Sequence, residues 1–144
     1  MIRVWLIVAG CLIGASCNQR GYLFSHTFEG SCWPEADTLV FDYVPSADKQ
    51  VLAIDLQLEP DYPYQNIYLR LFHSVDGQAV DTLLIADTLM DAAGNWRSSP
   101  AGGDYTSELT VPVRTEETGK THTFRLIQYM RASSLCGVRS IGVQ

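Results

Sequence analysis

The feature that most constrains the fold is a strict alternation of residue type between positions 52 and 59. Every second position carries a large apolar side chain: Leu52, Ile54, Leu56 and Leu58. Successive side chains of a β-strand point to opposite faces, so this pattern places all the large apolar residues on one face. A helix would bring together residues three and four apart and would mix the two sets. The segment is therefore predicted to be a half-buried strand.

Similar alternation recurs along the rest of the chain. The predicted strands are 38–44, 52–59, 67–72, 79–85, 105–113, 121–130 and 138–143. Asp76-Gly77 has the composition of a tight hairpin turn, because both residue types tolerate positive φ. Residues 131–135 are compatible with one helical turn. Seven to eight short strands without a long helical period predict an all-β fold, an antiparallel β-sandwich that is either immunoglobulin-like or jelly-roll-like.

The N-terminus is organised like a bacterial lipoprotein signal peptide. A charged start at Arg3 is followed by an apolar stretch to Ile13 and by small residues directly before Cys17. This stretch is shorter than the roughly 20 residues that a membrane-spanning helix needs. We predict that residues 1–16 are removed and that Cys17 is lipidated. Cys11 has the better local motif but would leave too short an apolar region. An ordinary cleaved signal peptide with incidental cysteines is the alternative.

The rest of the chain is predicted to consist of two parts. Residues 17–30 form the lipidated N-terminus and a tether, and residues 31–144 form a single β-sandwich domain. This length is that of one ordinary domain with its own hydrophobic core. The expected location is the cell envelope, with the protein held on a membrane by its N-terminal lipid.

Charge and motif content argue against two large classes of function. The chain has 10 Lys and Arg against 16 Asp and Glu, a net charge of −6, and no basic cluster suited to a phosphate backbone, so we predict no nucleic-acid binding. It has no common catalytic motif, and His26, His73 and His122 lack the spacing of zinc ligands. We predict no enzyme, no cofactor and no metal. His122, in phase with Phe124, is interpreted as a histidine at the edge of the core.

Two further cysteines, Cys32 and Cys136, lie near the two ends of the predicted domain. In an oxidising compartment, such a pair favours a disulfide that closes a loop of about 100 residues. Their pairing is a hypothesis, and two buried free thiols are the alternative.

Two segments carry side chains suited to binding a partner. The first contains Tyr62, Pro63, Tyr64 and Tyr68. Tyrosines offer large rigid contact area, and prolines fix a loop without further ordering cost. The second is the loop 87–104 around Trp96, where carboxylates would suit Ca²⁺ and the indole would suit stacking on a sugar. The alternatives are a rigid turn that closes the sandwich and a structural loop whose tryptophan fills the core. We favour the structural loop over a metal site.

A family resemblance is carried by five stretches and two single residues. They are Asp-Tyr-Pro-Tyr-Gln-Asn-Ile-Tyr-Leu at 61–69, Asp-Thr-Leu at 81–83, Asp-Ala-Ala-Gly-Asn-Trp at 91–96, Thr-Phe-Arg-Leu-Ile-Gln-Tyr-Met-Arg at 123–131, Ile-Gly-Val at 141–143, Leu135 and Gly137. In this order and spacing they resemble the gliding-motility lipoprotein GldH family of Bacteroidota. Family members commonly have Pro where Cys136 stands, so a disulfide there would be a local feature of this chain.

The resemblance implies an outer-membrane lipoprotein needed for gliding motility and functionally linked to type IX secretion. Its implied partners are the membrane, through the lipid, and other gliding and secretion proteins of the envelope. It supplies no catalytic residues. The alternative function is an envelope lipoprotein that binds glycan or peptide through an aromatic loop. Exposure of Trp96 separates the two, because stacking on a sugar requires an exposed indole.

Overall fold

The computed structural model describes residues 21–45, 51–112 and 118–144. Within these ranges the strands are β1 (Phe24–Thr27), β2 (Cys32–Pro34), β3 (Leu39–Tyr43), β4 (Val51–Leu58), β5 (Asn66–Val75), β6 (Gln78–Thr88), β7 (Pro100–Ala101), β8 (Asp104–Pro112), β9 (His122–Gln128), β10 (Ser134–Cys136) and β11 (Val138–Val143). A 3-10 turn, Glu29–Ser31, separates β1 from β2. The predicted signal peptide, residues 1–16, and both candidate lipidation sites, Cys17 and Cys11, lie outside the described residues. None of the helical structure in the described ranges is long and apolar enough to span a bilayer.

The strands form two antiparallel sheets and a two-stranded ribbon. The first sheet has the order β1-β11-β4-β8-β7, the second has the order β3-β9-β5-β6, and β10 pairs with β2 in the ribbon. When the eight longer strands are renumbered in chain order, without β2, β7 and β10, the sheets read 1-8-3-6 and 2-7-4-5. This is the arrangement of a jelly roll. The predicted all-β sandwich is confirmed, and of its two candidate topologies the chain adopts the jelly roll.

The alternating segment that predicted the fold becomes β4, whose apolar face lies at the centre of the core. Leu52, Ile54, Leu56 and Leu58 are at most 1% exposed. Apolar residues of the second sheet pack opposite them, among them Leu69, Leu71, Phe124 and Leu126. Full burial of one such side chain stabilises the fold by roughly 1.5–3 kcal/mol, because its apolar surface leaves water. Strand β4 pairs with β11 on one side and β8 on the other, so both of its edges are hydrogen-bonded.

The hairpin β5–β6 turns at the predicted Asp76-Gly77. The φ angles are 46° and 81°, as a two-residue turn with positive φ at both central positions requires. This turn sets the pairing of the two strands, in which Arg70 lies opposite Leu84 and Tyr68 lies opposite Ala86. The hairpin therefore places these four side chains on the outer face of the second sheet.

The folded unit begins before residue 31. Strand β1 pairs with β11, from Phe24 opposite Val143 to Thr27 opposite Ser140, and the ring of Phe24 stacks on Phe41. Part of the segment predicted as a tether, 17–30, is therefore an edge strand of the first sheet. Only one of its four residues is even partly buried, so it has no alternation to reveal it.

The connections lie at two ends of the sandwich. The end that we call N-terminal holds the start of β1, the ends of β3 and β8, the start of β4 and the β5–β6 turn. The opposite end, called distal, holds the connection from β4 to β5 and the segments that follow β6 and β9. The predicted partner residues at 62–68 and at 96 lie at the distal end.

Candidate functional site

A groove of about 480 Å³ opens at the distal end, on the outer face of the second sheet. It is lined by Tyr64, Tyr68, Leu84, Tyr129, Met130 and Arg131. Tyr64 comes from the connection before β5, and the last three residues follow β9. The exposed fractions are 39% for Tyr64, 38% for Tyr68, 59% for Leu84 and 47% for Tyr129. A cluster of exposed tyrosines and leucine in a concave site is suited to contact with another molecule.

Backbone pairing holds the two central tyrosines side by side. The N–H of Tyr129 donates to the carbonyl of Tyr68 at 2.7 Å, which extends the β5–β9 pairing one residue past the end of β9. The N–H of Tyr68 donates to Sδ of Met130 at 3.3 Å. Both rings are therefore positioned by strand backbone rather than by a mobile loop, so that little is lost to ordering when a partner binds.

Arginine side chains lie over aromatic rings on the same face. The guanidinium carbon of Arg70 is 3.9 Å from the ring centroid of Tyr129, and that of Arg125 is 5.6 Å from the ring centroid of Phe72. These are cation–π distances. In the part of the chain that the structure describes, neither Arg70 nor Arg125 nor Arg131 is within 4.0 Å of a carboxylate; the ion pairs there belong to another arginine.

The predicted tyrosine–proline surface is only partly exposed. Tyr64 and Tyr68 line the groove, and Pro63 is exposed beside them. Tyr62 is 3% exposed, and its hydroxyl donates to the carbonyl of Asn66 at 2.9 Å. Burial, reinforced by the neighbouring Tyr64, raises the pKa of Tyr62. The expectation that Tyr62 contributes to a partner surface is therefore corrected: the turn directs this ring into the core.

Trp96 is half-buried and also departs from the predicted surface. Its ring stacks on Tyr105 with centroids 4.3 Å apart and an interplanar angle of 7°, and it tilts against Tyr62 at 6.4 Å. One face of the indole is thus covered by another ring of the protein. This arrangement matches the alternative in which Trp96 fills the space beneath its own loop.

The carboxylates considered for Ca²⁺ serve separate structural roles. Asp91 accepts hydrogen bonds from the side chain and the backbone N–H of Asn95, and these bonds lower its pKa. The other two carboxylates bind residues of the sheets: Asp87 accepts from Ser107, and Asp104 from Gln57 and Arg139. Among the described residues, no three His, Cys, Asp or Glu side chains are grouped so that they could hold a metal ion.

The disulfide hypothesis concerned Cys32 and Cys136, and the structure joins these two sulfurs at 2.04 Å. The two residues are directly opposite each other in the β2–β10 ribbon. In the same ribbon Trp33 and Leu135 form the neighbouring pair, and both are fully buried. The bridge therefore fastens two short strands whose side chains cover one side of the core.

Four of the six residues that line the groove were not anticipated from the sequence. Leu84, Tyr129, Met130 and Arg131 reach Tyr68 only through the register of β6 and β9 against β5. One local signal existed: Leu84 follows Leu83, which breaks the alternation of its strand and puts a large apolar side chain on the solvent side. An exposed apolar residue on a strand is a weak signal by itself, because such residues are common on protein surfaces.

His73 and His122 form a buried pair on the inner face of the second sheet. Nε2 of His73 lies 2.9 Å from Nδ1 of His122, and the two residues are 3% and 1% exposed. The prediction that His122 belongs to the core is confirmed. Burial, and then the neighbouring His122, lower the pKa of His73, whereas Asp81 acts in the opposite direction.

We expect the free energy of unfolding to fall as the pH drops below about 6.5, the ordinary pKa of histidine. Because the pKa of His73 is lower in the folded protein, the unfolded chain takes up the proton first, and stability is lost between the ordinary and the lowered value. Above this window the side chain is neutral in both states and contributes no pH dependence. Urea unfolding between pH 7.5 and 5 measures the effect. The decline should be smaller in His73→Phe and unchanged in His26→Phe, which alters an exposed histidine; equal declines in all three proteins would contradict the assignment.

Comparisons with known proteins place these features in context. The sequence model of the family described as GldH lipoprotein matches residues 22–144. No curated protein matches the chain. One similar solved structure is a family GH115 4-O-methyl-alpha-glucuronidase with specificity for decorated arabinogalactans, at 16% identity and a TM-score of 0.45, covering 87% of this chain and 18% of that one. Another is a family 35 carbohydrate binding module from an environmental isolate, at 16% identity and a TM-score of 0.39, covering 88% and 78%. The chain thus spans less than a fifth of the glucuronidase, and neither similarity carries a conclusion about its function.

Proposed function

The chain belongs to the GldH lipoprotein family, and we propose that it is a lipid-anchored, non-catalytic envelope component that gliding motility requires and that is linked to type IX secretion. The observation that carries the proposal is the family match over residues 22–144, which includes every strand described above. The proposed anchor is a lipid on Cys17, and the proposed location is the outer membrane.

The chemistry of the exposed groove supports a docking role. Its side chains are aromatic, aliphatic and guanidinium groups, which provide contact area and charge rather than proton transfer. Among the buried polar side chains, Nε2 of His73 contacts Nδ1 of His122, and Asp104 accepts hydrogen bonds from Gln57 and Arg139. An assembly component needs such a rigid surface and no reactive group.

The position of the groove is compatible with the proposed anchor. A lipid on Cys17 lies seven residues before Phe24, where β1 begins at the N-terminal end of the sandwich. Seven extended residues span at most about 25 Å. The N-terminal end would then lie close to the membrane, and the groove at the distal end would face other proteins of the envelope.

The alternative, capture of glycan or peptide on an aromatic surface, is favoured by one observation. The exposed rings of Tyr64, Tyr68 and Tyr129 meet in one groove and resemble a stacking platform. Trp96 no longer supports this alternative as strongly, since Tyr105 covers one face of its indole. A soluble glycan that bound the groove in the absence of any other envelope protein would favour the alternative.

Deletion of the gene in its native host is expected to abolish surface spreading and to reduce secretion of type IX cargo. The wild-type gene should restore both activities, and Cys17→Ala should not, because the unlipidated protein is lost from the membrane. Cys11→Ala is the matched control and should complement fully, since residue 11 is removed with the predicted signal peptide. Measurements are colony spreading, cargo in the culture medium and membrane fractionation. Normal spreading and secretion in the deletion strain would contradict the proposed function, and complementation by Cys17→Ala but not by Cys11→Ala would move the anchor to Cys11.

A further inference from the structure

The outer face of the second sheet is the basic side of an acidic protein. The whole chain has a net charge of −6. On this face, however, Arg70 and Arg125 project from β5 and β9, and Arg131 lines the groove just beyond β9. Two acidic side chains border the same face: Asp42 on the edge strand β3 accepts a hydrogen bond from the hydroxyl of Thr123 at 2.6 Å, and Glu35 lines a second groove beside Tyr129 and Arg131. Three arginines therefore stand together here without a carboxylate partner among the described residues.

The arginines and the groove form one continuous surface, which we call the arginine–tyrosine face. Strand pairing puts its members in adjacent rows: Tyr68 beside Tyr129, then Leu84, Arg70 and Ile127, then Thr82, Phe72 and Arg125. Aromatic, aliphatic and basic side chains alternate across these rows. The face is therefore suited to a partner that is both apolar and acidic.

A guanidinium that contacts an aromatic ring can still donate hydrogen bonds to a further partner. A guanidinium lying flat on an aromatic ring keeps the N–H groups of its edge available, and these match the two oxygens of a carboxylate. The guanidinium carbon of Arg70 is 3.9 Å from the centroid of the Tyr129 ring, close enough for a cation–π contact. A carboxylate that binds there meets a side chain whose position is largely set beforehand, so less conformational entropy is lost.

The outer face of the first sheet has a different character. Its carboxylate Asp55 accepts hydrogen bonds from Tyr22 at 3.0 Å and from Gln144 at 2.7 Å, and Gln57 is bound to both Asp104 and Ser140. These polar groups are thus satisfied within the molecule. Unpaired charge next to exposed aromatic rings is found on the arginine–tyrosine face.

We propose that the arginine–tyrosine face binds an acidic segment of a partner protein, with an apolar side chain of the segment in the tyrosine groove and its carboxylates on Arg70 and Arg131. The inference rests on the proposed function and specifies the chemistry of the partner. Charge complementarity selects an acidic occupant. The distal position of the groove, away from the start of β1, favours a protein over the membrane that holds the anchor, and the negative charge of the whole chain disfavours nucleic acid.

A binding assay with defined probes tests the proposal on the full chain purified from membranes in detergent. The probe is a labelled ten-residue peptide of alternating Glu and Phe, and its matched control has Lys in place of Glu. Binding is followed by fluorescence anisotropy. We expect the Glu peptide to bind and the Lys peptide not to bind. Loss of two charge-assisted contacts in Arg70→Glu/Arg131→Glu should weaken the Glu peptide about tenfold or more.

Two further variants test whether weaker binding comes only from the change in net charge or from a loss of stability. Lys120→Glu/Arg97→Glu makes the same change in net charge outside the arginine–tyrosine face and should keep wild-type affinity. Arg131→Glu alone alters an exposed side chain that takes part in no ion pair among the described residues. This variant should unfold like the wild type. Its affinity for the Glu peptide should be severalfold weaker.

Three outcomes would overturn the inference: no binding of the Glu peptide, equal binding of both peptides, or equal weakening by the two double variants. Recruitment to phosphatidylglycerol vesicles that depends on Arg70 and Arg131, without peptide binding, would replace the protein partner with a lipid surface. The proposed function is tested by a different experiment. A deletion strain that still spreads and secretes would contradict the proposed function without changing the result of the peptide assay.

Discussion

Replacing Cys32 and Cys136 together with serine is expected to lower the free energy of unfolding by about 2–5 kcal/mol. The disulfide joins residues 104 positions apart and so closes most of the domain into one loop. In the chain-entropy model a loop of this length is worth roughly 4–5 kcal/mol, because the crosslink removes extended conformations from the unfolded chain. The ribbon that it closes also carries Trp33 and Leu135, so loosening the strands exposes two fully buried side chains.

Urea unfolding of the wild type and of Cys32→Ser/Cys136→Ser, each with and without dithiothreitol, measures this effect. Reductant should move the wild-type midpoint to that of the double variant and leave the variant unchanged. Thiol labelling of the unfolded wild type should find neither cysteine free before reduction. A wild-type midpoint that ignores reductant, together with two reactive thiols, would show that the bridge does not form in the purified protein.

The sandwich itself was predictable because its central strands have one buried face. In β4 the apolar positions 52, 54, 56 and 58 are all buried, and the same period marks β3, β5 and β9. Asp76-Gly77 also gave a correct turn, since positive φ at two successive residues has a narrow sequence preference. Local pattern is informative wherever burial follows the strand period and turn geometry restricts the residue type.

Short edge elements were not predictable, because their burial does not follow the strand period. Strand β1 has a mostly exposed pattern, and β10 has three residues, too few to show a period. The segment 131–135 was therefore compatible with a helical turn, whereas its last two residues belong to β10, paired with β2. What holds β10 in place is its partner strand and a disulfide to a residue 104 positions away, and neither is a local property.

Most of the candidate site could not be predicted from the local sequence pattern. The sequence identifies the tyrosines of the proline turn, but a turn has no period that tells which ring points inward. Tyr62 is buried and Tyr64 is exposed, although their rings are in contact, with centroids 5.8 Å apart. The rest of the groove depends on the register of β5 against β9, which brings Tyr129 beside Tyr68 across 61 positions of sequence. The register between strands distant in sequence determines which side chains meet on the surface, and a single sequence does not reveal this register.

Gly137 lies at the point where the buried turn meets the last strand, and Gly137→Ala is expected to destabilise the protein by about 2–5 kcal/mol. Its φ is +87°, a conformation that alanine adopts only with strain. A Cβ at this position would lie 2.8 Å from Cα of Tyr62, which is backbone and cannot move aside alone. The carbonyl of Gly137 also accepts the N–H of Glu59 at 2.8 Å, so a shift of this residue disturbs the link between β11 and the end of β4.

Gly94→Ala separates the two causes, because Gly94 has nearly the same φ, +86°, but its added Cβ would meet nothing within 4 Å. This control should lower the free energy of unfolding only by the backbone strain, about 1–2 kcal/mol. The additional loss of stability in Gly137→Ala then measures the effect of the close approach of Tyr62. Chemical unfolding gives both values. Equal costs for the two substitutions would mean that the turn yields to the extra methyl group. In that case Tyr62 would be anchored by its own hydrogen bond to Asn66 rather than clamped between the turn and the last strand.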